Sequence, residues 1–417
     1  MSKKQLTPEQ YVDRFLSDQS ITQPLKQQIY WRKLVAKFGE FAEQWGDLID
    51  QRIAGIHVDP YAPKNSSIEF ANAIISQADS ARLRRFFAWF IKEGFDLDGK
   101  TLLDFGCDSG LFACFVAKTF PGATVIGLDP CREAIEIANV RKEQLGLTNV
   151  SFFFGTLGQY TEKNPLIRFD VVTSIVVFHE LLAGGLISTG DTVIDSELQG
   201  LSLDSTDKKS LVESQIPILQ TISHVLNDQG LLISLDRWGH PTTLLQWIRL
   251  CEASGLSIST VSSNMLNFKP DPDHGHELMP VTVFHKATAT VPMRPSDILS
   301  LYSYPEFAKL ECCHAIENDH IAELFYEALN RQPLYVEEAE YHNGSGTLMT
   351  YVGVAGGIGY VYRTTTRGYR RLYLVPSIAL SEKAEEIVET RLSNQSFADI
   401  TYTIHNEELI QSLGIKF

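Results

Sequence analysis

The stretch Lys100 to Gly110, KTLLDFGCDSG, followed by the acid of VIGLDP at Asp129, constrains the fold of this chain more than any other. Leu102 and Leu103 read as a strand, Asp104 to Gly110 as a turn, and Leu111 to Lys118 as a helix; the next strand ends in the carboxylate. The first amides of such a helix face the turn and favour polar or anionic ligand groups. Gly106 and Gly110 let backbone approach a ligand with no Cβ in the way, and Asp129 stands where a carboxylate accepts hydrogen bonds from ribose hydroxyls. The pattern therefore suits a nucleoside-bearing cofactor. Its spacing is D-x-G-x-x-x-G rather than G-x-G-x-x-G, and the acid at its start would repel a pyrophosphate, which argues against a dinucleotide.

Further elements follow in order. Val150 to Gly155, Phe169 to Val177 and Gly230 to Leu235 read as three more strands, then a helix from Leu244 to Ser254 and a closing hairpin of Leu256 to Ser262 with Pro280 to His285. In an open parallel sheet, Asp104, Asp129, Thr156, Ile175 and Asp236 should gather beyond the carboxyl ends of the strands. This succession resembles the class I (Rossmann-like) S-adenosylmethionine (SAM) dependent methyltransferases, whose first motif commonly reads DxGCGxG; here Asp108 stands at the middle glycine. The resemblance implies an α/β fold with a doubly wound, mostly parallel seven-stranded sheet, and SAM as cofactor. It also implies roles for particular residues: Asp104 near the methionine amino group, Gly106 and Gly110 under the cofactor, Asp129 on the ribose, and Pro130 against the adenine edge. Thr156 or the Leu157 amide would meet the adenine amine, and Phe105, Cys107 and Ile175 complete the cofactor-binding set.

At 417 residues the chain exceeds one domain of roughly 100 to 200 residues. The expected division is an N-terminal helical region (1–95), the methyltransferase domain (96–290) and a C-terminal α+β accessory domain (291–417). A formal net charge of −15 opposes the phosphate attraction that nucleic-acid binding needs, so no nucleic-acid partner is expected. MSKKQLTPEQ has no apolar signal core, and the longest uncharged run, Gly344 to Tyr362, is rich in Gly, Ser, Thr and Tyr, so no membrane span is expected either. Six cysteines without a paired framework suit a reducing cytoplasm.

Ahead of the motif, Thr7 to Leu16, Leu25 to Trp45 and Ile68 to Gly94 read as helices, interrupted by DPYAPKNSS at Asp59 to Ser67. Tyr11, Tyr30, Trp31 and Trp45 suit either pocket walls or helix core, and aromatics at helical spacing favour core. The long connection Ala183 to Lys209 leaves the sheet on the ligand side and reads as a lid. Beyond residue 290, Glu306 to Arg331 suggests a helix or helix pair, and Gly346 to Val354, Ile358 to Thr366 and Tyr369 to Val375 read as antiparallel strands. Ser381 to Leu392 then reads as a last helix. GVAGGIG at Gly353 to Gly359 lacks the Lys and Ser/Thr of a phosphate loop and reads as a hairpin turn. Tyr360, Tyr362, Arg363, Tyr369, Arg370 and Tyr373 are residue types that anchor interfaces, so this unit is expected to bind a partner or form a homodimer.

For proton transfer the chain offers His179 and Glu180, just past the fourth strand, unless they merely begin the next helix. Asp236, Arg237 and His240 form a second group; Arg237 suits an acceptor carboxylate or neutralises Asp236. After the fourth strand TSIVVF stands in place of N-P-P-Y, which disfavours amino methylation of nucleic-acid bases. Of the two acids a magnesium site would want, only Asp236 is present, so metal-free chemistry is expected. The resulting expectation is a cytoplasmic methyltransferase with a small-molecule acceptor, O-methylation first. The alternative is a methyltransferase-fold protein without catalysis that binds a partner or senses SAM.

Overall fold

A computed structural model describes residues 6–56, 58–182, 206–287, 293–302, 313–392 and 397–412. The expected lid, Ala183 to Lys209, lies outside these apart from the backbone of the helix Thr206–Val225.

Eight strands make the first sheet: β1 (Thr101–Phe105), β2 (Thr124–Asp129), β3 (Val150–Phe154), β4 (Phe169–Ile175), β5 (Leu226–Leu235), β6 (Leu256–Ile258), β7 (Asn264–Phe268) and β8 (Glu277–Lys286). Their order is β3-β2-β1-β4-β5-β8-β6, with β7 also on β8. β3 through β5 run parallel, whereas β8 is antiparallel to β5, β6 and β7. TLLDF and FDVVTSI read as near-continuous apolar runs because helices cover both faces of a parallel sheet. The sheet thus has one strand more than the seven expected. NMLNF has no strict alternation of apolar and polar residues to announce a strand, yet Met265, Leu266 and Phe268 are buried once it pairs with β8.

The N-terminal helices are α1 (Pro8–Asp18), α2 (Gln27–Phe38), α3 (Glu40–Ile53), α4 (Tyr61–Lys64), α5 (Ile68–Ala78) and α6 (Ser80–Glu93). Thr7 and Gln10 start α1 as a reciprocal capping box. The two long helices expected here each divide, at Gly39, whose φ is +58°, and at Asp79. α7 (Leu111–Thr119) follows β1, α8 (Arg132–Gln144) follows β2, α9 (Leu157–Lys163) follows β3 and α10 (Phe178–Leu182) follows β4. Phe15 of α1, Phe87 of α6 and Phe115 of α7 meet at ring-centroid distances of 5.2 and 4.4 Å from Phe115. Val12, Phe86 and Phe90 join Val125 and Ile233 of the sheet in the same core. Tyr11, Tyr30, Trp31 and Trp45 likewise pack against core residues, the first beside Phe115 and the others around Phe70.

The described residues divide into two compact units, one from 6–56, 58–182, 215–237 and 251–287, the other from 206–214, 238–250, 293–302, 313–392 and 397–412. Within the second, β9 (His314–Ile316), β10 (Gln332–Tyr341), β11 (Thr347–Ala355), β12 (Ile358–Thr365), β13 (Arg370–Pro376) and β14 (Phe397–Ile404) form an antiparallel sheet ordered β14-β10-β11-β12-β13-β9. GVAGGIG is the turn of the β11–β12 hairpin, where Ala355 faces Ile358. Of Glu306 to Arg331, expected as a helix or helix pair, residues 306–312 lie outside the described residues; the rest contains β9 and the helix Asp319–Ala328, and a three-residue strand is too short to show a period. Tyr360 and Tyr362 are buried, and Tyr326 stacks on Tyr362 at 3.8 Å, so these two tyrosines serve the unit's own packing rather than an outer face.

Candidate active site

β1, β2, β4 and β5 deliver their carboxyl ends to one sheet edge, and the first unit assembles its polar residues there. Asp104 sits opposite Gly127 and Thr173 in the middle of the sheet and is 2% exposed. Its Oδ1 accepts a hydrogen bond from Thr173 Oγ1 at 3.3 Å, while its buried Oδ2 has no partner among the described residues. Burial, together with the negative charges of Asp129 and Asp108, lifts its pKa to about 7 against the Thr173 hydrogen bond. Asp129, at the end of β2, accepts the Asp108 amide on Oδ2 at 2.9 Å and the Cys131 amide on Oδ1 at 2.8 Å. Burial lifts it to about 6. Two carboxyls held part-neutral by burial and by each other are a place where an added cation is strongly favoured.

Between them runs the turn. Phe105 ends β1 with its ring 5.7 Å from that of Phe178. Gly106 and Cys107 both donate their amides to the Leu128 carbonyl, at 2.9 and 3.0 Å. Gly106 has φ +74° and a Cβ there would lie 2.4 Å from Val177; Gly110 has φ +71° and a Cβ there would meet Ala138 and Phe152 at 2.7 Å. Both positions therefore require glycine. Burial and the nearby acids push the Cys107 thiol well above its ordinary pKa, which makes it a packing residue rather than a nucleophile. Asp108 adopts φ +46°, a left-handed conformation that Asp tolerates better than most residues. Its carboxylate turns to the N-terminal region, where Lys64 Nζ donates to Oδ2 at 2.7 Å and Asn65 Nδ2 to Oδ1 at 2.8 Å. Arg141 of α8, fully buried, donates to the Ser109 carbonyl at 3.0 Å and to Gln19 and Asn72 at 3.0 and 2.7 Å.

Pro130 is exposed beyond β2. Thr156 caps α9 in a second capping box: its hydroxyl accepts the Gln159 amide at 3.3 Å and its own amide donates to Gln159 Oε1 at 2.9 Å. That leaves Leu157, buried at the first position of α9, as the neighbouring backbone on this edge. Ile175 ends β4, and Val176 follows with φ +58° and its amide donated to Leu235 at 2.7 Å. A β-branched residue in that region is strained, and such strain gathers at functional sites.

His179 and Glu180 do start a helix, α10, yet the His179 ring is not idle. Its Nδ1 lies 2.8 Å from Asp236 Oδ1, at ion-pair distance though outside hydrogen-bond alignment. Asp236 also accepts the His179 amide on Oδ2 at 3.2 Å and the Arg237 amide on Oδ1 at 2.8 Å. Glu180 pairs with Arg52 of α3 at 2.7 Å, and Arg52 lies over the Tyr61 ring at 5.7 Å. His179 and Asp236, read as members of two rival groups, are thus one pair. His240, from the second group, instead bonds the Ala315 carbonyl at 3.0 Å within the other unit. Lys64, Asn65, Arg141 and Arg52 were not visible in the sequence as site residues; Lys64 and Asn65 sit in a Pro- and Ser-rich stretch that reads only as a break. Among the described residues, no group of three His, Cys, Asp or Glu is arranged to hold a metal ion.

Residues 96–274 match the family described as a methyltransferase domain. The ribosomal protein L11 methyltransferases of Salmonella arizonae and Citrobacter koseri are each 27% identical to the chain over 173 residues, covering 40% of it and 51% of their own length. That of Salmonella dublin is 28% identical over 196 residues, covering 42% and 60%. The chain thus spans about half to three-fifths of the length of these curated relatives. Similar solved structures include a precorrin-6Y C5,15-methyltransferase of Geobacter metallireducens (11% identity, 51% of this chain and 92% of that one, TM-score 0.33) and a SAM-dependent methyltransferase of Aquifex aeolicus (18%, 51% and 96%, 0.33).

This protein carries a class I, Rossmann-like SAM-dependent methyltransferase domain, and SAM is the cofactor of that class. The expected small-molecule partner is corrected by the relatives, which are named for a protein substrate. Among the described residues no helix is long and apolar enough to cross a membrane.

Proposed function

We propose that this chain is a SAM-dependent methyltransferase acting on a protein, with His179 as the base that relieves a nucleophilic side chain of its proton. One observation carries the reading: the His179–Asp236 pair stands at the same strand-end edge as Asp104 and Asp129. The unpartnered Asp104 Oδ2 suits the methionine ammonium, Asp129 the ribose hydroxyls, and the turn from Phe105 through Gly110 the space beneath the cofactor. Pro130, Leu157 and Ile175 flank it as apolar neighbours, with Thr156 at the rim. When bound, SAM supplies an electrophilic methyl on a cationic sulfur, which the acidic edge complements.

His179 Nδ1 lies 2.8 Å from Asp236 Oδ1, and Nε2, at the other end of the ring, 3.8 Å from Glu180 Oε1; a neutral ring with its proton on Nδ1 carries the lone pair on Nε2. Asp236 fixes the position of the ring, and Arg52 pairs with Glu180. A base suits an acceptor that must lose a proton, so a protein hydroxyl comes first and an amine second. The protein class of the relatives' substrate supports this acceptor. The free thiols of Cys107, Cys114, Cys131, Cys251 and Cys313 suit a cytoplasmic setting.

Methyl-labelled SAM incubated with the full chain and the ribosomal and total protein fractions of its native cell tests the reading. Label in a protein, lost in His179→Ala, supports it. Label confined to small molecules overturns the protein acceptor. No label in any fraction, despite tight binding of the demethylated product, favours a SAM-binding module without catalysis.

A further inference from the structure

Asp108 occupies the place where the family motif commonly has glycine, and the structure shows what accommodates it. Lys64 is 8% exposed and Asn65 is 2% exposed; both reach Asp108 from the segment between α3 and α5. Lys64 Nζ has a second carboxylate, Asp79, at 3.9 Å, and Asp79 is itself paired with Arg82. Burial would depress the lysine, but Asp108 and Asp79 outweigh it and raise its pKa; burial would raise Asp108, but Lys64 and Asn65 outweigh it and lower its pKa. The pair is therefore ionised, and breaking one side strands the other.

The Asp108 backbone depends on this grip. In its left-handed conformation the Asp108 amide points at Asp129 Oδ2, and on the far side Arg141 holds the Ser109 carbonyl from α8. Burial brings that guanidinium to about 10, and its acceptors Gln19 and Asn72 also belong to the N-terminal region. We infer that Lys64 is a positioning residue: by anchoring the Asp108 carboxylate it holds the cofactor turn in the conformation that orients Asp129, and so sets affinity for SAM from outside the methyltransferase motif. The inference rests on the cofactor site lying at this turn.

The test is a rescue cycle on the full chain, reading the dissociation constant of S-adenosylhomocysteine, the demethylated product, by calorimetry. Lys64→Met should weaken binding by about tenfold. The double variant of Lys64→Met with Asp108→Gly, which leaves neither charge of the pair stranded and puts at 108 a residue that takes a left-handed φ unaided, should recover binding to within about threefold of the wild type. Hydrogen exchange on ligand-free protein should show faster exchange at amides 107–110 in Lys64→Met, with β1 unchanged and the double variant restored. Wild-type affinity in folded Lys64→Met, or a double variant as weak as the single, overturns the inference. Should Lys64→Met fail to fold, Lys64→Gln takes its place under the same two criteria. A wild type that binds no S-adenosylhomocysteine refutes the cofactor site itself, and the exchange data then still decide whether Lys64 holds the turn.

Discussion

Asp129 accepts the Asp108 amide of the turn and the Cys131 amide ahead of α8 while keeping further lone pairs for ribose hydroxyls, so its loss removes both positioning and contact. Asp129→Ala should weaken SAM binding by at least about tenfold, since a charge-assisted hydrogen bond is worth about 1.5–3 kcal/mol; an unchanged constant in a calorimetric titration would sink the assignment. Asp104 makes a pH-dependent prediction. Its carboxyl titrates at about 7 when folded, against about 3.9 in an unfolded chain, so between those values the ligand-free native state keeps a proton that the unfolded state has lost. Its contribution to stability therefore falls as pH rises from about 4 to about 7. Asp104→Asn should gain melting temperature relative to wild type across that window, and parallel curves would refute the raised pKa. Wild-type SAM affinity should rise through the upper part of it, because the ammonium needs the ionised form. For His179, turnover in His179→Ala should drop by about 10² to 10⁴ with SAM binding unchanged, as expected of a base that faces the acceptor. Wild-type turnover in that variant would leave His179 as a helix-start residue held by Asp236.

At the scale of elements, the strands and turns were largely legible and the helix breaks and short strands were not. TLLDF and FDVVTSI announce themselves through their apolar cores, Leu102–Leu103 and Val171–Val172, as expected of strands covered on both faces. The Thr7–Gln10 capping box marks the start of α1 in the same direct way. By contrast, the division between α5 and α6 at Asp79 leaves the helical pattern nearly intact, and β9 and β7 become strands only through their partners. Packing of the N-terminal helices is equally invisible along the chain. Phe115 of α7 is fully buried between Phe15 of α1 and Phe87 of α6. Phe115→Ala should cost about 3–5 kcal/mol in denaturant unfolding of the full chain, and a cost below about 1 kcal/mol would mean that α1 and α6 pack only loosely on α7.

Over the whole molecule the chain passes between units more than once, and the stretch Trp238–Leu250 belongs with the C-terminal residues. Tyr302 donates to the Gly239 carbonyl and Arg249 to that of Met293, both at 2.8 Å, while Trp238, Leu244 and Trp247 are buried. A chain truncated after Thr290 would strip these residues of that cover, so it should bind a hydrophobic dye and aggregate on gel filtration; a monodisperse product with wild-type SAM affinity would contradict this. Neighbours along the chain suffice to specify the strand–turn–helix carrying Asp104, the acid at Asp129, the parallel order that aligns their strand ends, and the β11–β12 hairpin. Which distant groups meet follows from packing in three dimensions. His179 and Asp236 lie 57 residues apart, and Lys64 and Asp108 lie 44 apart. Such pairs form because a buried charge must find a counter-charge wherever packing brings one, a requirement that leaves no period or spacing in the sequence.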